Sequence, residues 1–293
     1  MVRRRCARIT EKSWREPFFQ EVGISMIETV KDTVRQLLET DEIKGFLGLA
    51  EKHGHVAPHL FQQGDSLDNM VLGDRKRPGD SRYPLNKYLI NIHRAYPEEV
   101  FGVLVRGCDD RGLQTLYTWN QLDPKKVVTV GIACPQELAE ACECAEPFPD
   151  TFVAGEKAEP VKNNSVAEVD ALVLSEKFSY WMDEFVKCIK CYGCSNICPM
   201  CFCNDCSLKC DDLVKRGELP PEIPVFHHTR AMHMVGRCID CGLCEEACPS
   251  NIPLRTLYKK VNSIMEEQFD FKTGVQRGKR SPLNTIEAVE GKE

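Results

Sequence analysis

Residues 188–199 read CIKCYGCSNICP and residues 238–249 read CIDCGLCEEACP, two copies of CxxCxxCxxxCP. Three thiolates at two-residue gaps can wrap three corners of a 4Fe-4S cube, while the fourth, one helical turn on, reaches the neighbouring cube. On that rule Cys188, Cys191, Cys194 and Cys248 hold one cluster and Cys238, Cys241, Cys244 and Cys198 hold a second. Zinc sites instead favour two separated ligand pairs. Cysteines two residues apart are poorly placed to pair as disulfides, and the odd total of 17 leaves a thiol over. Pro199 and Pro249 end each short helix.

Two further cysteine groups surround these runs. Cys201, Cys203, Cys206 and Cys210 follow the first run directly. They either ligate a further cluster or pack behind the first one as buried thiols, since a free Cys behaves as a small hydrophobe. Cys108, Cys134, Cys142 and Cys144 are more dispersed. Here too the choice is between another 4Fe-4S cluster and structural thiols.

The elements that must position these residues follow from periodicity. Ile27, Val30, Val34, Leu37 and Leu38 have helical spacing; residues 43–50 form an apolar strand and residues 55–61 a second. Residues 84–95 predict a helix with Leu85, Tyr88, Leu89 and Ile92 on one side. A strand over 100–107, a turn at Cys108, Asp109 and Asp110, a helix over 111–122 and a strand over 127–134 make a βαβ unit, hence a partly parallel sheet. Cys108 and Cys134 then face one another at the carboxyl ends of neighbouring strands, where open α/β sheets bind ligands. Asp109 or Asp110 caps the following helix, whose free N–H groups favour an anionic cluster. A long helix over 166–186 buries Val169, Leu172, Val173, Phe178, Trp181 and Phe185, and residues 253–271 close the chain with another. Arg230, His233 and Arg237 precede the second run, either beside its cluster or on a solvated helix face.

The expected fold class is an α/β N-terminal domain with a partly parallel sheet, followed by an α+β bacterial-ferredoxin-like dicluster domain with helical flanks. Its divisions are a flexible basic arm (1–25, with six Lys or Arg), the α/β domain (26–150), a linker and helix (151–187), the dicluster domain (188–271) and a disordered tail (272–293). Met26 is an alternative start. A net charge of −6 argues against nucleic acid as a partner. No apolar run approaches the roughly 20 residues of a membrane span, and no hydrophobic stretch follows the basic start as in a signal peptide. A cytoplasmic location is expected, where thiols stay reduced and serve metals.

VLVRGCDDRGL, VGIACP, CECAEPFPD, CIKCYGCSNICPMCFCNDC and RAMHMVGRCIDCGLCEEACPSNIPL together resemble the iron–sulfur beta-subunit family of deazaflavin (coenzyme F420) hydrogenases and formate dehydrogenases, heterodisulfide-reductase-associated relatives included. The likeness covers residues 27–271. It implies an iron–sulfur electron-transfer subunit of an oxidoreductase complex with catalytic or flavin-bearing partners and no membrane insertion. Two 4Fe-4S clusters are expected, and the remaining cysteines leave room for one or two more. Some family members bind FAD and reduce the deazaflavin, so the alternative is a flavin-containing reductase subunit. No glycine-rich flavin loop supports FAD: GFLGL, at 45–49, lacks the dinucleotide spacing. A cluster-stabilised scaffold without redox traffic is a third reading.

Overall fold

The computed structural model describes residues 16–74, 79–215, 222 and 224–283. It opens with helix α1, Glu16–Glu39. Residues 16–25, expected in the basic arm, are therefore helical. Pro17 is at a helix start, where its missing N–H costs nothing. Residues 1–15 lie outside the described part.

Strands β1 (Gly45–Lys52) and β2 (His55–Phe61) pair antiparallel. They turn through His53 and Gly54, both at positive φ (52° and 78°), the geometry that suits the twist of a two-residue hairpin. Asn69 and the short strand β3 (Met70–Val71), which periodicity did not predict, pair with the far half of β1. Helix α2 (Leu85–Ala95) leads to β4 (Phe101–Val105), α3 (Gly107–Thr118) and β5 (Val127–Gly131). The sheet runs β2-β1-β4-β5, with β1–β4 and β4–β5 parallel. Every residue of β4 is buried, as expected of a parallel strand covered on both faces.

Cys108, Asp109 and Asp110 form the first turn of α3 rather than a separate turn. The Asp109 carboxylate accepts the Arg106 N–H at 3.1 Å, a capping contact that starts the helix immediately after the strand.

Beyond β5 comes α4 (Gln136–Cys142), also unpredicted, and then a stretch that returns along the strand ends. Ile132 bridges Ala154, and the Cys134 N–H donates to Pro147 O at 2.9 Å. Gly107 and Gly131 permit this passage: a Cβ on either would strike the backbone at 146–148 or at 151–152.

The single helix expected over 166–186 is two, α5 (Asn164–Asp170) and α6 (Leu174–Phe185). Val173 between them is extended, in keeping with its β-branched side chain. The break changes which face is covered. Phe185 is fully buried, whereas Leu174 and Phe178 are 83% and 61% exposed.

The cysteine-rich half contains α7 (Gly193–Asn196), a 3-10 turn at Ser207–Lys209, α8 (Val225–His233), α9 (Leu243–Glu246) and the closing helix α10 (Leu254–Phe269). In the tail expected to be disordered, Thr273 and Ser281 are buried and Gly274 lies against the backbone of Arg111, while most of the other described residues are exposed. One apolar core joins Val30 and Val34 of α1 to Phe46, Val103, Leu113, Met200, Ile239, Ile252 and Tyr258, so the sheet and the cysteine runs share it.

Candidate iron–sulfur centres

The two repeated runs fold alike at matching positions. Lys190 and Asp240, each before the second cysteine, have φ of 50° and 55°; Tyr192 and Gly242, each after it, have 57° and 77°. These left-handed residues curl the loop so that backbone amides face sulfur. The Lys190 N–H donates to Cys188 Sγ at 3.4 Å and the Gly193 N–H to Cys191 Sγ at 3.5 Å. In the second run the backbone N–H groups of Asp240 and Leu243 serve Cys238 and Cys241. α7 and α9 then start at equivalent places, and the two helices pack together.

Four cysteines line each of three cavities. One of about 330 Å³ has Cys188, Cys191, Cys194 and, from the other run, Cys248. Another of about 370 Å³ has Cys238, Cys241, Cys244 and, again from the other run, Cys198. A third of about 330 Å³ has Cys108, Cys134, Cys142 and Cys144. Cys108 and Cys134 thus meet beyond the carboxyl ends of β4 and β5, with Cys142 at the end of α4 and Cys144 just after it.

The donor chemistry suits iron–sulfur cubes. Burial pushes the Cys238 thiol up to about 12 and raises Cys108, Cys134, Cys188, Cys194, Cys241 and Cys244 as well. The positive charge of bound iron is what would hold such sulfurs as thiolates. A single tetrahedral ion requires its sulfurs about 2.3 Å from one centre. Among the described residues no three His, Cys, Asp or Glu side chains gather tightly enough to hold one ion.

The remaining four cysteines among the described residues have separate surroundings. The Cys201 thiol hydrogen-bonds Cys198, holding Cys198 below its ordinary value while Cys201 itself is raised. Cys203 is exposed and accepts from Arg237 Nη1 at 3.4 Å. Cys206 packs on Leu208, Val214 and Phe226, and Cys210 caps the 3-10 turn.

Arg230 belongs to the interior. It is 3% exposed, and it donates to Tyr258 Oη at 3.0 Å and to Cys194 O at 2.7 Å. His233 is exposed, and Arg237 lies over the Trp119 ring at 3.9 Å. Lys87 was not singled out in the sequence. It donates to Ser195 O, Asn196 O and Cys198 O at 3.3, 2.5 and 3.3 Å, tying α2 to the end of α7. Arg82, Arg106, Arg111 and Arg255 were also missed. Arg106 and Arg111 flank Cys108 in VRGCDDRG, a signal available in the sequence; Arg82 and Arg255 carry none.

Residues 233–253 match the model of the 4Fe-4S binding domain. The chain is 38% identical over 107 residues to the F420-dependent formate dehydrogenase subunit beta of Methanocaldococcus jannaschii, covering 36% of this chain and 28% of that protein. It is likewise 38% identical over 105 residues to the F420-dependent formate dehydrogenase 1 subunit beta of Methanococcus maripaludis, covering 35% and 27%. The matches thus span little more than a quarter of these relatives' own lengths. Over about a third of its length the chain is thus similar to these two beta subunits, and it contains a match to a 4Fe-4S binding domain.

Proposed function

We propose that the chain is an iron–sulfur electron-transfer subunit of an oxidoreductase complex of the formate dehydrogenase, hydrogenase or heterodisulfide-reductase-like kind, working beside a catalytic or flavin-bearing partner. The observation that carries this reading is the gathering of twelve cysteines into three cavities of four, two of which take one cysteine each from the opposite run. A 4Fe-4S cluster supplies reversible one-electron transfer. The chain's own residues hold the sulfurs, keep water away and set the local charge. Cys108 and Cys241 both line a cavity of about 430 Å³ between the second and third sets, which puts those two sets next to each other.

Anaerobic iron and acid-labile sulfide counts, with EPR of the reduced protein, test the reading. Three clusters are expected, and Cys108→Ser should remove one. Two clusters in the wild type, with iron unchanged by Cys108→Ser, would reduce the chain to a dicluster protein. Stoichiometric zinc in colourless protein would overturn it.

One observation favours the flavin reading. The pocket with Arg82, Tyr83 and Arg106 in its wall is at the ends of the parallel strands, where α/β sheets bind ligands. Flavin absorbance in anaerobically purified protein would support it. Among the described residues no helix is long and apolar enough to cross a membrane.

A further inference from the structure

The three four-cysteine sets differ in what donates to their sulfurs. In the two ferredoxin-like sets the donors to sulfur are neutral groups: backbone amides, at 3.4 and 3.5 Å for Cys188 and Cys191, and the Cys201 thiol for Cys198; Arg230, which also lines the second set's cavity, gives its N–H groups to Tyr258 Oη and Cys194 O instead. In the third set they are guanidinium groups. Arg106 Nη1 donates to Cys134 Sγ and Arg111 Nη2 to Cys144 Sγ, both at 3.8 Å. The charge of Arg255 acts on Cys142, and that of Arg82 on both Cys142 and Cys108. Arg82, Arg106 and Arg255 line the same cavity as the four cysteines.

These arginines come from four places: the stretch before α2, the end of β4, α3 and α10. Each is anchored on its far side. Arg106 Nη2 bonds Asp74 at 2.7 Å and Leu72 O at 3.1 Å. Arg255 Nε bonds Asp240 at 2.8 Å, and Arg82 pairs with Glu246. Among the described residues Arg111 has no carboxylate as a hydrogen-bond acceptor; it is held by Glu146 O at 2.7 Å and Ile239 O at 3.2 Å. Carboxylates, or backbone carbonyls for Arg111, therefore fix the guanidiniums from behind, leaving Arg106 and Arg111 N–H groups directed at sulfur.

An all-thiolate cube is anionic and gains one more negative charge on reduction. Charge-assisted hydrogen bonds to the sulfurs favour that reduced form, and they are roughly twice as strong as neutral ones. Taking the third cluster of the proposed function as given, we infer that Arg82, Arg106, Arg111 and Arg255 are positioning residues that hold its reduction potential above those of the two ferredoxin-like clusters. It is then the most readily reduced of the three and the end of the chain at which electrons collect.

An anaerobic redox titration of the full chain, followed by EPR, tests this without any variant. The signal lost in Cys108→Ser should appear at a higher potential than the other two. Its appearance at or below them overturns the inference, while a wild-type iron count of only two clusters overturns the prior reading instead. Arg111→Gln then assigns the cause: iron content should stay unchanged and the third midpoint fall towards the others, with Arg111→Lys recovering part of the shift. A midpoint unmoved in Arg111→Gln sinks the role of Arg111. Loss of the cluster from both variants would mean that the arginine builds the site rather than tunes it, which also overturns the inference.

Discussion

Lys259 shows how much one side chain carries at the junction of the two halves. Its side chain is 3% exposed, and its ammonium donates to Glu143 O at 2.7 Å, Asn163 Oδ1 at 2.6 Å and Asp240 Oδ2 at 2.8 Å. Asp240 is held below the usual carboxylate range: burial opposes its ionisation, and the charges of Arg255 and Lys259 outweigh that opposition. Removing the ammonium would strand a buried carbonyl and weaken the support of a buried carboxylate, changes that typically cost about 3–5 kcal/mol when a buried pair is broken. Arg255 still serves Asp240, so Lys259→Met should fall at the lower end, and thermal melting of the anaerobic holoprotein should show a clear drop. Lys177, on the surface beside Asp170 at 3.3 Å, is the control: Lys177→Met should alter stability by about 0.5 kcal/mol or less. Equal losses in the two variants would refute the special place given to Lys259. None of this was legible in the sequence, where Lys259 reads as one more polar residue on an amphipathic helix; its partners are contributed by distant segments.

At the scale of elements, the repeated runs were the most legible part of the chain, because ligand spacing is local and both copies share it. The crossing of Cys198 and Cys248 between the cavities makes a specific demand. Cys198→Ser should give the same EPR change as Cys238→Ser, and Cys248→Ser the same as Cys188→Ser; if Cys198→Ser instead matched Cys188→Ser, each run would hold its own cluster. Helix α6 was less legible. Its aromatic residues follow helical spacing, but the break at Val173 tilts the first turns away from the core, a tertiary effect that periodicity does not contain. Two truncations on one helix should therefore diverge. Phe185→Ala empties a fully buried site stacked between Trp181 and His227, with ring centroids at 5.6 and 4.7 Å, and should cost about 3–5 kcal/mol. Phe178→Ala, on the exposed face, should cost about 0.5 kcal/mol or less. Denaturant titration of the two proteins would contradict the assigned faces if the order were reversed.

For the molecule as a whole, the sheet and the cysteine runs differ in what can hold them up without metal. β1 and β4 bury continuous apolar runs, and α1 and α3 add Val30, Val34, Leu113 and Leu116 to the same core. The runs offer α7 and α9, four residues each, far below the length at which a helix is stable alone. Between them, the surroundings of Cys198 and Cys244 belong to the shared core, so collapse of the runs would expose part of it without dismantling the strands. Metal-dependent domains commonly draw their folding free energy from the bound centre. Stripping iron by anaerobic chelation should therefore leave the strands folded and make residues 188–253 the first region cut by a protease, while the holoprotein resists there. Far-UV circular dichroism should retain its strand contribution in the same sample. Cleavage that begins in the strands, or an iron-free protein as resistant as the holoprotein over 188–253, would show that apolar packing rather than sulfur ligation supports the cysteine-rich half.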